Sequence, residues 1–595
     1  MASLAAMPPI IGRAVASQQK LRGGYYTPEP IATFLARWAI RTPTDQVLEP
    51  SCGDGSLLEA AAARLLHCGA NPASLPTLLH AVEIDPQEAQ KAAQRVQAAT
   101  GLQEALPIQV GDFFAYCSTH LADKVRFDVV IGNPPFIRYQ DFAEEQRTVA
   151  FQLMQQAGLH PTRLTNTWVP FLVAATMLLN EGGRMAMVIP AELLQVNYAA
   201  ELRLFLSRHY THLTLITFQS LLFAGIQQEV VLLLGEKRAG NHTGIRTVEL
   251  AGLGDLAGYQ DSAFVAGDLK AMDHSKEKWT MYFLDEAELE LLRRLRTDLR
   301  LAPAAQTIDV DVGIVTGLNQ FFVLSAQQVQ ETGLAAYTLP LVGRSAHLQG
   351  TIFSQADWEV SVAKGAGAFL LNLPALPLDQ LSPAVQRYVK QGEEQGMHTG
   401  YKCRIRDPWY SLPSIWSPAA FMLRQVHNYP KIIVNQAGAT CTDTIHRVRL
   451  CNGVPAAGVA AAFLNSLTFA FAEVMGRSYG GGVLELEPNE AEALPIPLQG
   501  LSQLNVAELD QLLRMGDIAA VLDITDAILL RQGLGLPVSD VRRLRAIWQK
   551  LRDRRVNHKP IAKRHAPAAG LSEAGTTPQQ LRLLMERKNS YNRSA

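Results

Sequence analysis

The sequence predicts an α/β protein: an open, mostly parallel sheet with helices on both faces, then a mixed α+β region, then a helical and basic C-terminal end. Three observations predict it. From about residue 45 to 240, short apolar runs of strand length alternate with stretches whose apolar residues recur at a period near 3.6. After about 300 this alternation gives way to short runs broken by Gly and Pro. The composition, 595 residues with 48% hydrophobic and 18% charged side chains, suits a packed chain of two to four domains.

In chain order, the strands are QVLEP (46–50), HAVEID (80–85), IQVGDF (108–113), FDVVIG (127–132) and RMAMVIP (184–190), with helices expected over 56–68, 86–99 and 168–179. HLTLITF (212–218) and EVVLLLGEK (229–237) follow, joined by a turn-bearing segment that suits an antiparallel pair at the sheet edge, for seven strands in all. The boundaries read as a leader (1–24), a sheet domain (25–295), a second domain (300–500) and a helical, basic region (501–595). Ligands of such sheets bind at the carboxyl ends of the strands.

Several classes are excluded. The longest apolar stretch, 169–179, falls short of the ~18–20 residues a membrane span requires. The N-terminus lacks a basic region ahead of its apolar patch, and Pro8-Pro9 interrupts that patch, so no secretory signal is read. Six cysteines without close pairing (52, 68, 117, 403, 441 and 451) point to free thiols in a reducing cytoplasm. His209 and His212 have no third ligand at suitable spacing, and no metal is expected. The overall charge of −1 hides an asymmetry: residues 541–595 carry +11 and the remainder −12. A basic end suggests a polyanion partner, with a helix docked on the second domain as the equal alternative.

The first strand ends in LEPSCGDG (48–55), where glycines permit a tight turn beneath a helix N-terminus. Leu58 stands where a dinucleotide fingerprint needs its third glycine. Glu83 ends the second strand as a carboxylate able to accept ribose hydroxyls, which leaves nicotinamide and S-adenosylmethionine cofactors both open. Asp112 and Phe113 add an acceptor for an exocyclic amine and an apolar wall for an adenine, with a helix cap and a core aromatic as the alternatives.

The fourth strand runs into Asn133-Pro134-Pro135-Phe136. Two prolines fix φ twice and donate no hydrogen bond, so the Pro134 carbonyl is rigidly aimed. An amine on a π-system is a poor nucleophile because its lone pair is delocalised. The Asn133 side-chain oxygen and the Pro134 carbonyl can each accept one of its hydrogens, exposing that lone pair to a sulfonium methyl, while Phe136 stacks on the ring. Planar amides and nucleobase amines remain equally possible substrates.

The order YYTP (25–28), LEPSCGDG (48–55), VEID (82–85), GDF (111–113), NPPF (133–136), GGRMAMVIP (182–190) and FAGIQQEVVLLL (223–234) resembles the gamma class of DNA adenine-N6 methyltransferases, TaqI-like enzymes of type II restriction–modification systems. GIVTGLNQFFVL (313–324) and RSYGGGVLELEPNEAEALPIP (477–497) are similar to the opening and close of that family's target-recognition domain. The resemblance implies a seven-stranded class I S-adenosylmethionine-dependent methyltransferase domain. It assigns Tyr26, Thr27 and Pro28 to the methionine end of the cofactor, Glu49, Gly53 and Gly55 to the glycine turn, Glu83 to the ribose, and Ile84, Asp112 and Phe113 to the adenine. Asn133, Pro134, Pro135 and Phe136 become the catalytic tetrapeptide, and Phe223 joins Phe136 in holding the target base. Phe136 replaces the tyrosine of some members, keeping the stack and losing a hydroxyl.

The second domain would supply contacts to double-stranded DNA through Lys402, Arg404, Arg406, Trp409 and Tyr410, with Arg424 and Lys431 just beyond. A solvated hairpin face is the alternative for that cluster. The expected activity is site-specific adenine-N6 methylation of duplex DNA by a monomer, without cleavage, any cognate endonuclease acting separately. The competing functions are methylation of a protein glutamine or an RNA guanine, and a DNA-binding regulator without turnover. The length of the second domain disfavours the first of these, and the intact tetrapeptide the second.

Overall fold

The computed structural model describes residues 26–122, 124–219, 229–237, 243–259, 269–272, 277–478 and 482–557. Its main sheet is built from β1 (Val47–Glu49), β2 (Leu79–Glu83), β3 (Gln109–Val110), β4 (Phe127–Gly132), β5 (Leu179–Pro190), β6 (His212–Phe218), β7 (Val230–Glu236) and β8 (Gly244–Leu250) in the order β3-β2-β1-β4-β5-β7-β6-β8. The first five are parallel, and β7 runs antiparallel between β5 and β6. The expected antiparallel pair therefore forms, but it is not the edge. An eighth strand, β8, runs parallel to β6 outside it. Its GIRTVEL carries Arg246 and Glu249 among few apolar residues, too weak an alternation to read from sequence.

Alternation along the strands decides which face each side chain covers. Val129 and Ile131 of β4, with Ala186 and Val188 of β5, join one core, while Val130, Met185, Met187 and Ile189 join another. Both faces are thus buried, as a parallel sheet requires. The helices α1 (Glu29–Ala39) and α2 (Ser56–His67) contribute to the first of these cores, and α5 (Trp168–Leu178), almost wholly buried, to the second. Asp85 starts α3 (Pro86–Thr100) by accepting the Gln87 amide at 2.9 Å, with Pro86 in the first turn. α4 (Phe113–Ala122) follows β3 after one glycine and Asp112. No single described helix is long and apolar enough to cross a membrane.

Beyond residue 300 the strands form sheets of five, four, three and two members, interleaved with short helices. Two smaller cores belong to this region, one around Phe321, Phe322, Leu370 and Tyr410, the other around Phe353, Phe421 and Ile433. The helices Ser466–Met475 and Val538–Val556 share a continuous core with α5 and β5 instead.

Candidate active site

A cavity of about 1120 Å³ opens over the carboxyl ends of β1, β2, β3 and β4, lined by residues 49–54, 83–88, 111–114, Asn133 and Pro135. The glycine turn after β1 is held by Glu83. Its Oε2 accepts the Gly53 amide at 2.8 Å and its Oε1 the Asp85 amide at 2.9 Å. A carboxylate oxygen has a second lone pair, so Glu83 can fix this backbone and still accept ligand hydroxyls. Gly53 (φ +52°) needs the left-handed region for this turn.

Glu49 lines the same cavity yet is 1% exposed, and its Oε2 has no hydrogen-bond partner. Burial, reinforced by the charges of Asp54 and Glu83, pushes its carboxyl well above the usual carboxylate range. A buried orphan acceptor among three carboxylates fits a cationic ligand group, such as the α-amino group of a bound amino-acid moiety. Asp112 combines its two readings: Oδ1 caps α4 through the Ala115 amide at 2.9 Å, and the residue lines the cavity. Phe113 lies under it, stacked on Phe171 at 5.0 Å with 18° between ring planes. Ile84, 57% exposed, stands at the opening. The residues present thus fit an adenosine cofactor that carries an amino acid.

Tyr26 and Thr27 line the cavity beside the glycine turn. The Tyr26 hydroxyl donates to Glu88 at 3.1 Å, and burial together with that carboxylate raises its phenol above the ordinary range. Thr27 ties three elements together: its carbonyl accepts from Ser56 Oγ of α2 at 2.8 Å, and its Oγ1 accepts from Asn133 Nδ2 at 3.2 Å. This second bond ties the Asn133 amide to the residue that precedes the cap of α1.

Two cofactor assignments move. Gly55 is not on the cavity wall; a Cβ there would meet Ala92 at 2.7 Å, so its bareness serves the close approach of α2 and α3. Pro28 caps α1, its carbonyl accepting the amides of Ile31 and Ala32, and does not line the cavity. Within the tetrapeptide, Asn133 and Pro135 line the cavity, Pro134 is buried, and Phe136 is half-buried against both cores. No described residue donates to the Pro134 carbonyl. Phe223 lies outside the described residues. Sequence reasoning missed Phe142, Gln146, Thr167 and Phe171, all on the wall. Only Thr167, preceding an apolar helix, carried a signal, and that signal suggests a helix cap.

The basic and aromatic run at 399–410 divides. Lys402 and Arg404 are exposed on a short helix, Tyr401–Arg404. Arg406 is spent on structure, donating to the carbonyls of Thr316 (2.7 Å) and Val315 (2.6 Å). Trp409 packs on Phe321 at 4.6 Å and donates to Glu393 at 2.9 Å; Tyr410 is 4% exposed in the same core. Trp409 is thus half-buried and Tyr410 buried, which leaves Lys402 and Arg404 as the most exposed side chains of the candidate cluster. Arg424 pairs with Glu485 and Glu487, and Lys431 is buried against the carbonyls of Leu348 and Gln349. His209 bonds the Phe205 carbonyl at 2.8 Å within its own helix, and His212 opens β6.

Strand order and cavity define a class I methyltransferase fold. Sequence comparison then places the chain. A family model for the Eco57I restriction–modification methylase matches residues 75–223, and one for the C-terminal domain of the type II methyltransferase M.Eco57I matches 276–530. The type II methyltransferase M.AccI of Acinetobacter calcoaceticus is 20% identical over 482 residues, covering 78% of this chain and 83% of its own length. M.XamI of Xanthomonas campestris pv. amaranthicola is 23% identical over 482 residues, covering 80% and 85%. The type IIL restriction–modification enzyme MmeI, solved in complex with DNA, shares the fold with a TM-score of 0.55 at 13% identity, over 88% of this chain and 75% of that one. The chain belongs to the type II restriction–modification methyltransferases.

Proposed function

We propose that this methyltransferase transfers a methyl group from S-adenosylmethionine to N6 of adenine at a specific sequence in duplex DNA, acting on a base turned out of the helix. The observation that carries the reading is the tetrapeptide Asn133–Phe136 at the end of β4, its first residue on the cavity wall and tied to Thr27. S-adenosylmethionine supplies an electrophilic methyl group when bound. Glu49 and Thr27 lie on the side assigned to its amino acid, Glu83 at its ribose, and Asp112, Ile84 and Phe113 about its adenine.

The chain's part in the chemistry is positioning. The Asn133 Oδ1 and the Pro134 carbonyl accept the two amino hydrogens of the target adenine, so its nitrogen loses conjugation with the ring and its lone pair turns toward the methyl. The bound donor would supply its methyl carbon with cleavage of its carbon–sulfur bond, and the amino nitrogen would release one hydrogen to solvent as a proton. The two acceptors are fixed dipoles that need little reorganisation, which is why no strong base is required. Phe136 holds the face of the extruded base, offsetting part of the few kcal/mol that unstacking costs. Exposed Lys402 and Arg404 supply phosphate contacts from the second region. That MmeI binds DNA in the same fold supports a DNA substrate.

The test is expression in a host lacking adenine methylation, followed by sequencing of its DNA with detection of modified bases. An adenine mark at one motif is expected; unmarked DNA from cells holding folded protein would overturn the reading. Asn133→Ala should lower the single-turnover rate by about 10²–10³-fold with cofactor affinity retained. Undiminished transfer would remove Asn133 from its role.

A further inference from the structure

The tetrapeptide's own sequence does not set the torsion that leads from its second proline to Phe136. Ring closure fixes φ of Pro134 and Pro135, and each residue that precedes a proline is held extended, which sets ψ of Asn133 and of Pro134. The ψ of Pro135 has no such restraint, and it decides where Phe136 lies. Thr167, thirty residues along the chain at the start of α5, closes that gap. Its Oγ1 donates to the Pro135 carbonyl at 2.6 Å and accepts from the Ile137 amide at 2.9 Å, while its own amide donates to the Ile137 carbonyl at 3.0 Å. One hydroxyl thus clasps the peptides on either side of Phe136.

Thr167 is itself held firmly. It is 2% exposed, and the neighbouring Asn166 accepts the Tyr139 amide at 3.2 Å and donates to the Tyr198 hydroxyl at 3.0 Å and to Glu192 at 3.3 Å. The clasp is therefore anchored to the segment that follows β5, independently of β4.

We propose that Thr167 is a positioning residue that sets the direction of Phe136, and through it the seat of the target base. The inference rests on the reading of Phe136 as the ring that stacks on that base. The test measures single-turnover methyl incorporation into DNA from a host lacking adenine methylation, for Thr167→Val and Thr167→Ser, each alone and combined with Phe136→Ala. Thr167→Val should lose about 10- to 100-fold in rate with cofactor affinity and unfolding midpoint near those of the parent, and Thr167→Ser, which keeps the hydroxyl, should stay within about threefold. In the Phe136→Ala background the valine should cost almost nothing more. Should valine disturb the fold, Thr167→Ser against Thr167→Ala makes the same comparison. An unchanged rate for Thr167→Val, or an equal loss with and without the Phe136 ring, overturns the proposal while leaving the function intact. A full rate in Phe136→Ala alone overturns the stacking reading and the proposal with it.

Discussion

At the scale of the residue, the buried carboxyl of Glu49 makes a pH prediction with a definite sign. Its folded-state pKa lies above the unfolded one, because burial and the charges of Asp54 and Glu83 disfavour ionisation. Below the ordinary carboxylate range both states are protonated and the residue is harmless. As pH rises through that range the unfolded chain releases its proton first, so stability falls until the folded carboxyl titrates as well. Glu49→Gln should therefore raise the unfolding midpoint of the cofactor-free protein near pH 7 and leave it unchanged near pH 4. Cofactor affinity should move the other way, weaker by about 10- to 100-fold, since a hydrogen bond to a charged partner is worth about 1.5–3 kcal/mol. Thermal melts at the two pH values and calorimetric titration with S-adenosylmethionine read both effects. Gly55 gives the opposite pattern. At φ +83°, with Ala92 2.7 Å from a would-be Cβ, Gly55→Ala should destabilise by about 2–4 kcal/mol in denaturant melts, through strain and overpacking rather than through any ligand contact.

At the scale of the element, the short helix Tyr401–Arg404 carries the prediction. Lys402 and Arg404 are exposed, whereas Arg406, Trp409 and Tyr410 are consumed by the packing beneath them. Lys402→Ala with Arg404→Ala should reduce the slope of log affinity for DNA against log salt by about 2 and leave the unfolding midpoint in place. Trp409→Ala should instead cost about 3–5 kcal/mol of stability. If the double variant kept the parent's slope, the phosphate contacts would have to be sought elsewhere. The contrast shows where the sequence was informative. FDVVIG was read to the residue because an apolar run bounded by Arg126 and Asn133 leaves no other register. The glycine turn, Glu83 and Asp112 were found because their roles depend on local backbone at a strand end. β8 was missed because Arg246 breaks its pattern, and Thr167 because its partners lie thirty residues away in a loop. The burial of Tyr410 was not legible because composition does not say which way a ring points.

At the scale of the whole molecule, the question is what joins the methyltransfer sheet to the second region, since the proposed function needs a base recognised through one to arrive at a fixed distance in the other. The helix Val538–Val556 supplies the join. Its sequence is basic, yet most of that charge is answered by carboxylates of the protein's body. Lys550 meets Glu288 at 2.8 Å, Arg554 meets Glu249 at 3.0 Å, Arg545 meets Asp523 at 2.7 Å, and Arg555 meets Glu473 at 2.6 Å with both side chains 4% exposed. Arg555 also donates to the carbonyl of His427 at 2.9 Å, and Trp548 to that of Asn428 at 3.1 Å. Among the described cations of this helix, Arg542 and Arg543 are the exposed ones without a carboxylate partner. For this stretch the docked helix outweighs a DNA-binding tail. A buried ion pair is worth little against a well-packed apolar pair, but removing one partner strands the other charge. Arg555→Met should therefore cost about 3–5 kcal/mol in denaturant unfolding, and adding Glu473→Leu should return most of it. Arg542→Ala with Arg543→Ala should change stability by less than about 0.5 kcal/mol. Were the Glu473→Leu addition to make matters worse, the pair would not be the coupling element, and the apolar seam of Phe469 against Trp548, 5.2 Å apart, would have to hold the two regions by itself.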